Sequence, residues 1–132
     1  MLERVNVPTQ QREQLLNITA IVQDFVTSSG LRDGVVTLFV PHTTAAVTIN
    51  ENADPDVVHD ILDKLQREFP RRDQYRHAEG NSDAHIKSSL TGPSLQIIVT
   101  EGRLVLGTWQ GIYFCEFDGP RTRTLFIKTM AG

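Results

Sequence analysis

The sequence holds a single cysteine, Cys115, which excludes an internal disulfide and any zinc site built on several thiolates. It has no excess of positive charge. Thirteen Lys and Arg against sixteen Asp and Glu leave a net charge of -3. This argues against general DNA binding through a basic surface and leaves a local anion site open. No apolar run approaches the roughly 18 residues of a membrane span. The opening stretch MLERVNVPTQQREQLLNIT carries charges where a signal peptide needs an apolar segment. Internal repeats, low-complexity tracts and linkers are also missing. What remains is a chain of 132 residues, the length of one domain and enough to bury about two thirds of its unfolded surface. The expectation is one soluble, cytoplasmic domain over residues 1–132 that binds no nucleic acid and no membrane.

Local patterns give the elements. Weak alternation around Val5 and Val7, then around Leu16 and Ile18, predicts two short edge strands or a ragged hairpin. Capping side chains at Asn17-Ile18-Thr19 precede a helix whose apolar face is Ile21, Val22, Phe25 and Val26, with Gly30 as its stop. Residues 35 to 40 are β-branched and apolar on both faces, as a central strand requires, and Pro41 ends them. Residues 45 to 50 alternate, with Val47 and Ile49 on one face and Ala46, Thr48 and Asn50 on the other. A second helix starts at Asp54-Pro55, carries the stripe Val58, Ile61, Leu62, Leu65 and Phe69, and ends before Pro70. Arg67, Arg71, Arg72 and Arg76 near its end read as a solvated terminus or as an anion site. A short helix is expected over residues 84 to 90, capped by Asp83. Strands follow over 95 to 100, 104 to 117 and 123 to 129. Without a regular βαβ rhythm, the class is α+β, a single compact domain with a mainly antiparallel sheet, two main helices and one short one.

Three histidines lie in polar surroundings: His42 in PHTT, His77 in RHAEGN and His85 in DAHIK. His59 reads as a surface residue. Three neutral imidazoles suit Zn2+ and leave a position open for water or substrate. The spacing equally allows scattered, hydrogen-bonded rings. Glu51 and Asp83 are positioned to orient a histidine or to serve as general base. A turn carboxylate and a helix cap are their structural alternatives. Lys87, Ser88 and Ser89 offer an ammonium and two hydroxyls to a phosphate if they begin a helix. In a strand, Gly107, Trp109 and Gly111 share one side, so the indole either packs tightly or walls a site, with Gln110 on the opposite side. Arg121 and Arg123 also share a face and fork onto a phosphate or onto a carboxylate such as Glu116. Cys115 reads as a packed thiol.

Four blocks together carry a resemblance: HTTAAVTINENADPDV over 42–57, HAEGNSDAHIKSSL over 77–90, GRLVLGTWQGIY over 102–113, and the closing strand with Arg121 and Arg123. They resemble the YjbQ-like family, also called secondary thiamine-phosphate synthase enzymes, in order and over nearly all of the chain after residue 35. The resemblance implies a compact α+β subunit and a homotrimer with its polar motifs near a subunit boundary. It also implies weak thiamine-phosphate synthase activity, in which a hydroxymethylpyrimidine diphosphate is joined to a thiazole phosphate and diphosphate is released.

The expected function is an enzyme acting on phosphorylated small molecules. His42, His77 and His85 would hold a divalent metal (Zn or Mg). Glu51 or Asp83 would orient ligands or move a proton. Thr43, Asn50, Lys87, Ser88 and Arg121 would meet substrate, Trp109 would wall the pocket, and Gln110 would bond a heterocycle. Two alternatives stand beside it: a metal-dependent phosphoester hydrolase with Glu51 as base, and a non-catalytic metal- or phosphate-binding trimeric module.

Overall fold

The computed structural model describes residues 2–132. In chain order the elements are β1 (Leu2–Pro8), β2 (Gln14–Asn17), α1 (Thr19–Ser29), β3 (Gly34–Phe39), β4 (Ala45–Glu51), α2 (Pro55–Glu68), α3 (Ser82–Thr91), β5 (Ser94–Thr100), β6 (Arg103–Leu104), β7 (Gln110–Glu116) and β8 (Thr122–Ala131). The class is α+β, and every strand pairing described is antiparallel.

Most helix ends follow the local chemistry. The Asn17 side-chain oxygen accepts from the Thr19 amide at 3.0 Å and the Thr19 hydroxyl at 2.7 Å. At the far end of α1, Gly30 takes a left-handed φ of 75°, which costs a residue without Cβ nothing. Asp54 accepts from the Asp56 amide at 2.9 Å with Pro55 opening α2.

The strands form two sheets. One has the order β1-β8-β3-β5-β6 and the other β2-β7-β4. β1 and β2 are both edge strands, in different sheets, so they are not a hairpin. The run from 104 to 117 is not continuous either. Its middle is a turn closed by the Gln110 side chain, whose oxygen accepts from the Gly107 amide at 2.7 Å.

Alternation in the three-stranded sheet builds three layers. Ala45, Val47, Ile112 and Phe114 face the five-stranded sheet, meeting Val36, Leu38, Ile97, Leu125 and Ile127, with Val22, Phe25 and Val26 of α1 in the same core. Ala46, Tyr113 and Cys115 face the other way, onto Ala84 of α3 and Val58 and Leu65 of α2. Cys115 is buried as expected, and burial pushes its thiol up to about 12. α3 thus lies on the outer face of β4, beside the chain segment that leads into that strand.

Candidate functional site

The β3–β4 connection carries His42. β8 pairs with β1 as far as Thr122, but its pairing with β3 stops at Phe126. Beyond that point an amide on β8 has no β3 carbonyl to meet. The His42 ring takes that place: its Nε2 accepts from the Thr124 N–H at 2.9 Å. Burial, then the positive charge of Arg123, lowers the His42 pKa below its ordinary value. The ring is neutral at pH 7.

α3 supplies the opposite wall. His42, Thr43, Ala45, His85, Ser88, Ser89 and Pro93 line a cavity of about 470 Å³. The Ser88 hydroxyl is buried and has no hydrogen-bond partner, an unusual state for a buried polar atom. No carboxylate is among these lining residues. His85 also lines a second cavity of about 430 Å³ with Tyr75, Arg76, His77, Ser82 and Ile86. There the His77 and His85 rings meet edge to face, centroids 5.4 Å apart, and Nε2 of His77 lies 3.6 Å from a Glu79 oxygen.

The other face of α3 is spoken for. Lys87 is fully buried between Glu13 and Asp83, 2.8 Å from the latter. Asp83 takes both Nη atoms of Arg12, at 3.0 and 3.1 Å. Burial alone would raise the Asp83 pKa, but the hydrogen bonds from Arg12 and Lys87 outweigh it and hold the carboxyl below its usual range. Asp83 is therefore not the helix cap, a position that falls to Asn81. Lys87 has no face open to a phosphate. Nor is Arg123 open: its guanidinium forks onto buried Glu116, which also accepts from Thr9 at 2.8 Å. Arg121 is exposed and pairs with Asp118 at 3.0 Å.

A third set lies elsewhere. Asn50 and Glu51 are at the far end of β4 from His42, about 20 Å along an extended strand. Each is engaged locally: Asn50 accepts from the Glu51 amide at 2.7 Å, and Glu51 from the Asp54 amide at 3.2 Å. Gln110 pairs with Glu51 in register, next to Trp109. The indole is 62% exposed and outside any strand, so it walls neither histidine cavity. At Gly111 a Cβ would come within 2.6 Å of the Asn52 amide. The bare backbone there accommodates Asn52, not the indole.

The profile of the family described as UPF0047 protein YjbQ-like matches residues 3–132. The chain belongs to this family. UPF0047 protein YugU of Bacillus subtilis is 51% identical over 98% of the chain and 99% of its own length. A crystal structure of an uncharacterized yjbq/upf0047 protein from Clostridium acetobutylicum shares 54% identity, covers 97% of this chain and 99% of that one, and superposes with a TM-score of 0.95. A hypothetical protein of Aeropyrum pernix, APE1520, reaches the same TM-score at 36% identity, covering 100% and 99%. These names state no reaction, so for this YjbQ-like chain the chemistry rests on the site itself.

The UPF0047 protein brings His42 and His85 to one cavity and His77 and His85 to its neighbour. It does not bring the three rings to one point. Among the described residues, no group of three His, Cys, Asp or Glu side chains is placed to hold a metal ion. The His42 lone pair at Nε2 is occupied, and the carboxylates Glu51 and Asp83 lie elsewhere. The ligand set expected for Zn or Mg thus does not fit this chain as it stands. The reading of the sequence missed Arg12 and Glu13, which fix Asp83 and Lys87 from 71 and 74 positions away. No local signal connects residues so distant. Tyr75 and Ile86, in the second cavity, were also unmarked. Among the described residues no helix is long and apolar enough to cross a membrane.

Proposed function

We propose that the chain is an enzyme acting on phosphorylated small molecules in the His42–His85 cavity, with a thiamine-phosphate synthase-like transfer as the first reaction to test. One observation carries the reading. The cavity wall carries the His42 and His85 rings and the Thr43 hydroxyl beside Ala45 and Pro93, with an unpartnered buried hydroxyl at Ser88 and no carboxylate. Such a lining suits an anion of phosphate type and disfavours a cation. Thr43 and Ser88 hold the phosphate oxygens, whereas the Ser89 hydroxyl already donates to the His85 carbonyl at 2.8 Å. As the thiazole nitrogen (or water, for a hydrolysis) forms its new bond with its own lone pair, the bond to the leaving phosphate or diphosphate oxygen breaks, its electron pair stays on that oxygen, and the Thr43 and Ser88 donors stabilise the charge. His85, shared by both cavities, gives a proton to the departing group. His77 lies against its ring, with Glu79 nearby. The part of the substrate beyond the phosphate extends past His85 toward Tyr75 and Ile86. A cytoplasmic homotrimer belongs to the same reading, supported by the family resemblance.

The test is diphosphate release from hydroxymethylpyrimidine diphosphate with thiazole phosphate, run beside a panel of phosphomonoesters. Turnover is expected, and His85→Gln is expected to lower kcat by at least about a hundredfold, the usual share of a general acid. If the wild-type chain turns over neither class but binds phosphate, it is a binding module and not an enzyme.

A further inference from the structure

We infer that His42 serves the cavity as a fixed hydrogen-bond donor through Nδ1–H, holding an oxygen of the bound anion, and does not ligate a metal. The inference deepens the proposed function and rests on it for the identity of the anion. The tautomer argument stands on its own. A backbone amide can only donate, so the Thr124 N–H at 2.9 Å requires a lone pair on Nε2. In a neutral imidazole the proton is then on Nδ1. The bond is not an incidental surface contact: it fills the gap left where β3 ends and β8 continues, so β8 fixes the ring plane. Nε2 thus belongs to the sheet, which leaves Nδ1–H as the donor of a ring that lines the cavity.

The charges around the ring agree. Arg123 and Arg121 both bear on His42 with positive potential, offset in part by Glu116. Arg123 itself is locked onto Glu116 and Thr44, whose hydroxyl accepts from its Nη2 at 2.8 Å. A divalent cation at His42 would meet those guanidiniums, with no carboxylate in the cavity wall to compensate. An anion meets the reverse: neighbouring positive charge, a ring N–H, and the hydroxyls of Thr43 and Ser88. The three-histidine metal site expected from the sequence is thus replaced, at His42, by one arm of an anion cradle.

The experiment uses the full chain with 15N-labelled histidine. Long-range proton–nitrogen correlations report the tautomer directly, and the His42 signals are those that survive in each of His59→Gln, His77→Gln and His85→Gln. The expected pattern is protonated Nδ1 and bare Nε2, unchanged when zinc chloride is added. A protonated Nε2, or a zinc-dependent shift of either His42 nitrogen, overturns the inference. Inorganic phosphate is then titrated into two variants. His42→Asn keeps an N–H near the Nδ1 position and is expected to bind within about threefold of wild type. His42→Gln keeps an acceptor for the Thr124 amide without that donor, and is expected to bind about tenfold more weakly. Equal loss in both, or loss in Asn alone, also overturns it. If wild type binds no phosphate at all, the proposed function fails while the tautomer result still decides the role of the ring.

Discussion

The two faces of α3 are built from one short run, DAHIKSS, and do opposite things. Asp83 and Lys87 are four residues apart and point to one side. His85 and Ser89 are two positions further on, about 200° round the helix, and face the cavity with Ser88. On the first side both charges are buried and matched: Lys87 by Glu13 and Asp83, Asp83 by Arg12 as well. On the second, the Ser88 hydroxyl has no partner and His85 borders two cavities. The difference separates residues that hold the helix from residues that the helix holds up. An ammonium or carboxylate in a motif rich in functional side chains is not thereby functional. What decides is whether its hydrogen-bonding capacity is already used.

Lys87→Met breaks the first face most severely. It strips the buried Asp83 carboxylate and the half-buried Glu13 carboxylate of their shared cation, and removing one member of a buried pair costs about 3 kcal/mol or more. The expected result is an unfolding free energy lowered by that amount, read from a lower urea midpoint at unchanged m-value, with phosphate affinity reduced only as far as α3 shifts. A Lys87→Met chain of wild-type stability that no longer binds phosphate would reverse the assignment of the two faces.

Asp83→Asn is the next largest change, about 2 kcal/mol, the scale of charge-assisted hydrogen bonds from Arg12 and Lys87. Its pH dependence has a definite sign. The folded-state pKa of Asp83 is depressed, so its contribution is fully present above the unfolded value of about 3.9 and is lost as pH falls through the lower folded value. The gap in unfolding free energy between wild type and Asp83→Asn is therefore expected to stay constant above about pH 5 and to close on further acidification. Denaturant titrations at a series of pH values measure it. A gap that widened in acid would mean that Asp83 is protonated in the fold, as a catalytic acid would be and a structural anion is not.

Legibility in the sequence followed the range of the interaction. Gly30, Asp54-Pro55 and the two-faced run at 35 to 40 mark their elements because caps and alternation act within a few residues. His42 and His85 were singled out by polar surroundings, and they do share a cavity wall. The alternation at 104 to 109 looked like strand, yet Gly107 and the Gln110 side chain turn the chain there. Asp83 and Lys87 looked available because their partners, Arg12 and Glu13, sit in a segment whose pattern was faint. The His42 bond to Thr124 spans 82 positions and depends on where β3 happens to end, which no local pattern contains. The expected site unites Asn50, Glu51, Trp109 and Gln110 with the histidines by side-chain chemistry alone. The strand between them carries Asn50 and Glu51 to the other end of the molecule.

The smallest change in stability tests the second face. In Ser88→Ala a buried oxygen without a partner is replaced by nothing, so no hydrogen bond is lost on folding and a desolvation cost is removed. Stability is expected to stay within about 0.5 kcal/mol of wild type, or to rise slightly. Phosphate affinity is expected to fall about tenfold, because the hydroxyl finds its partner only in the bound anion. This inverts the Lys87→Met result: one variant damages the fold more than the ligand site, the other the ligand site alone. The two positions are adjacent in sequence, so neither composition nor helix propensity separates them. If Ser88→Ala instead destabilises the chain by more than about 1 kcal/mol with affinity intact, its hydroxyl has a partner inside the fold. The cavity face would then be as structural as the other.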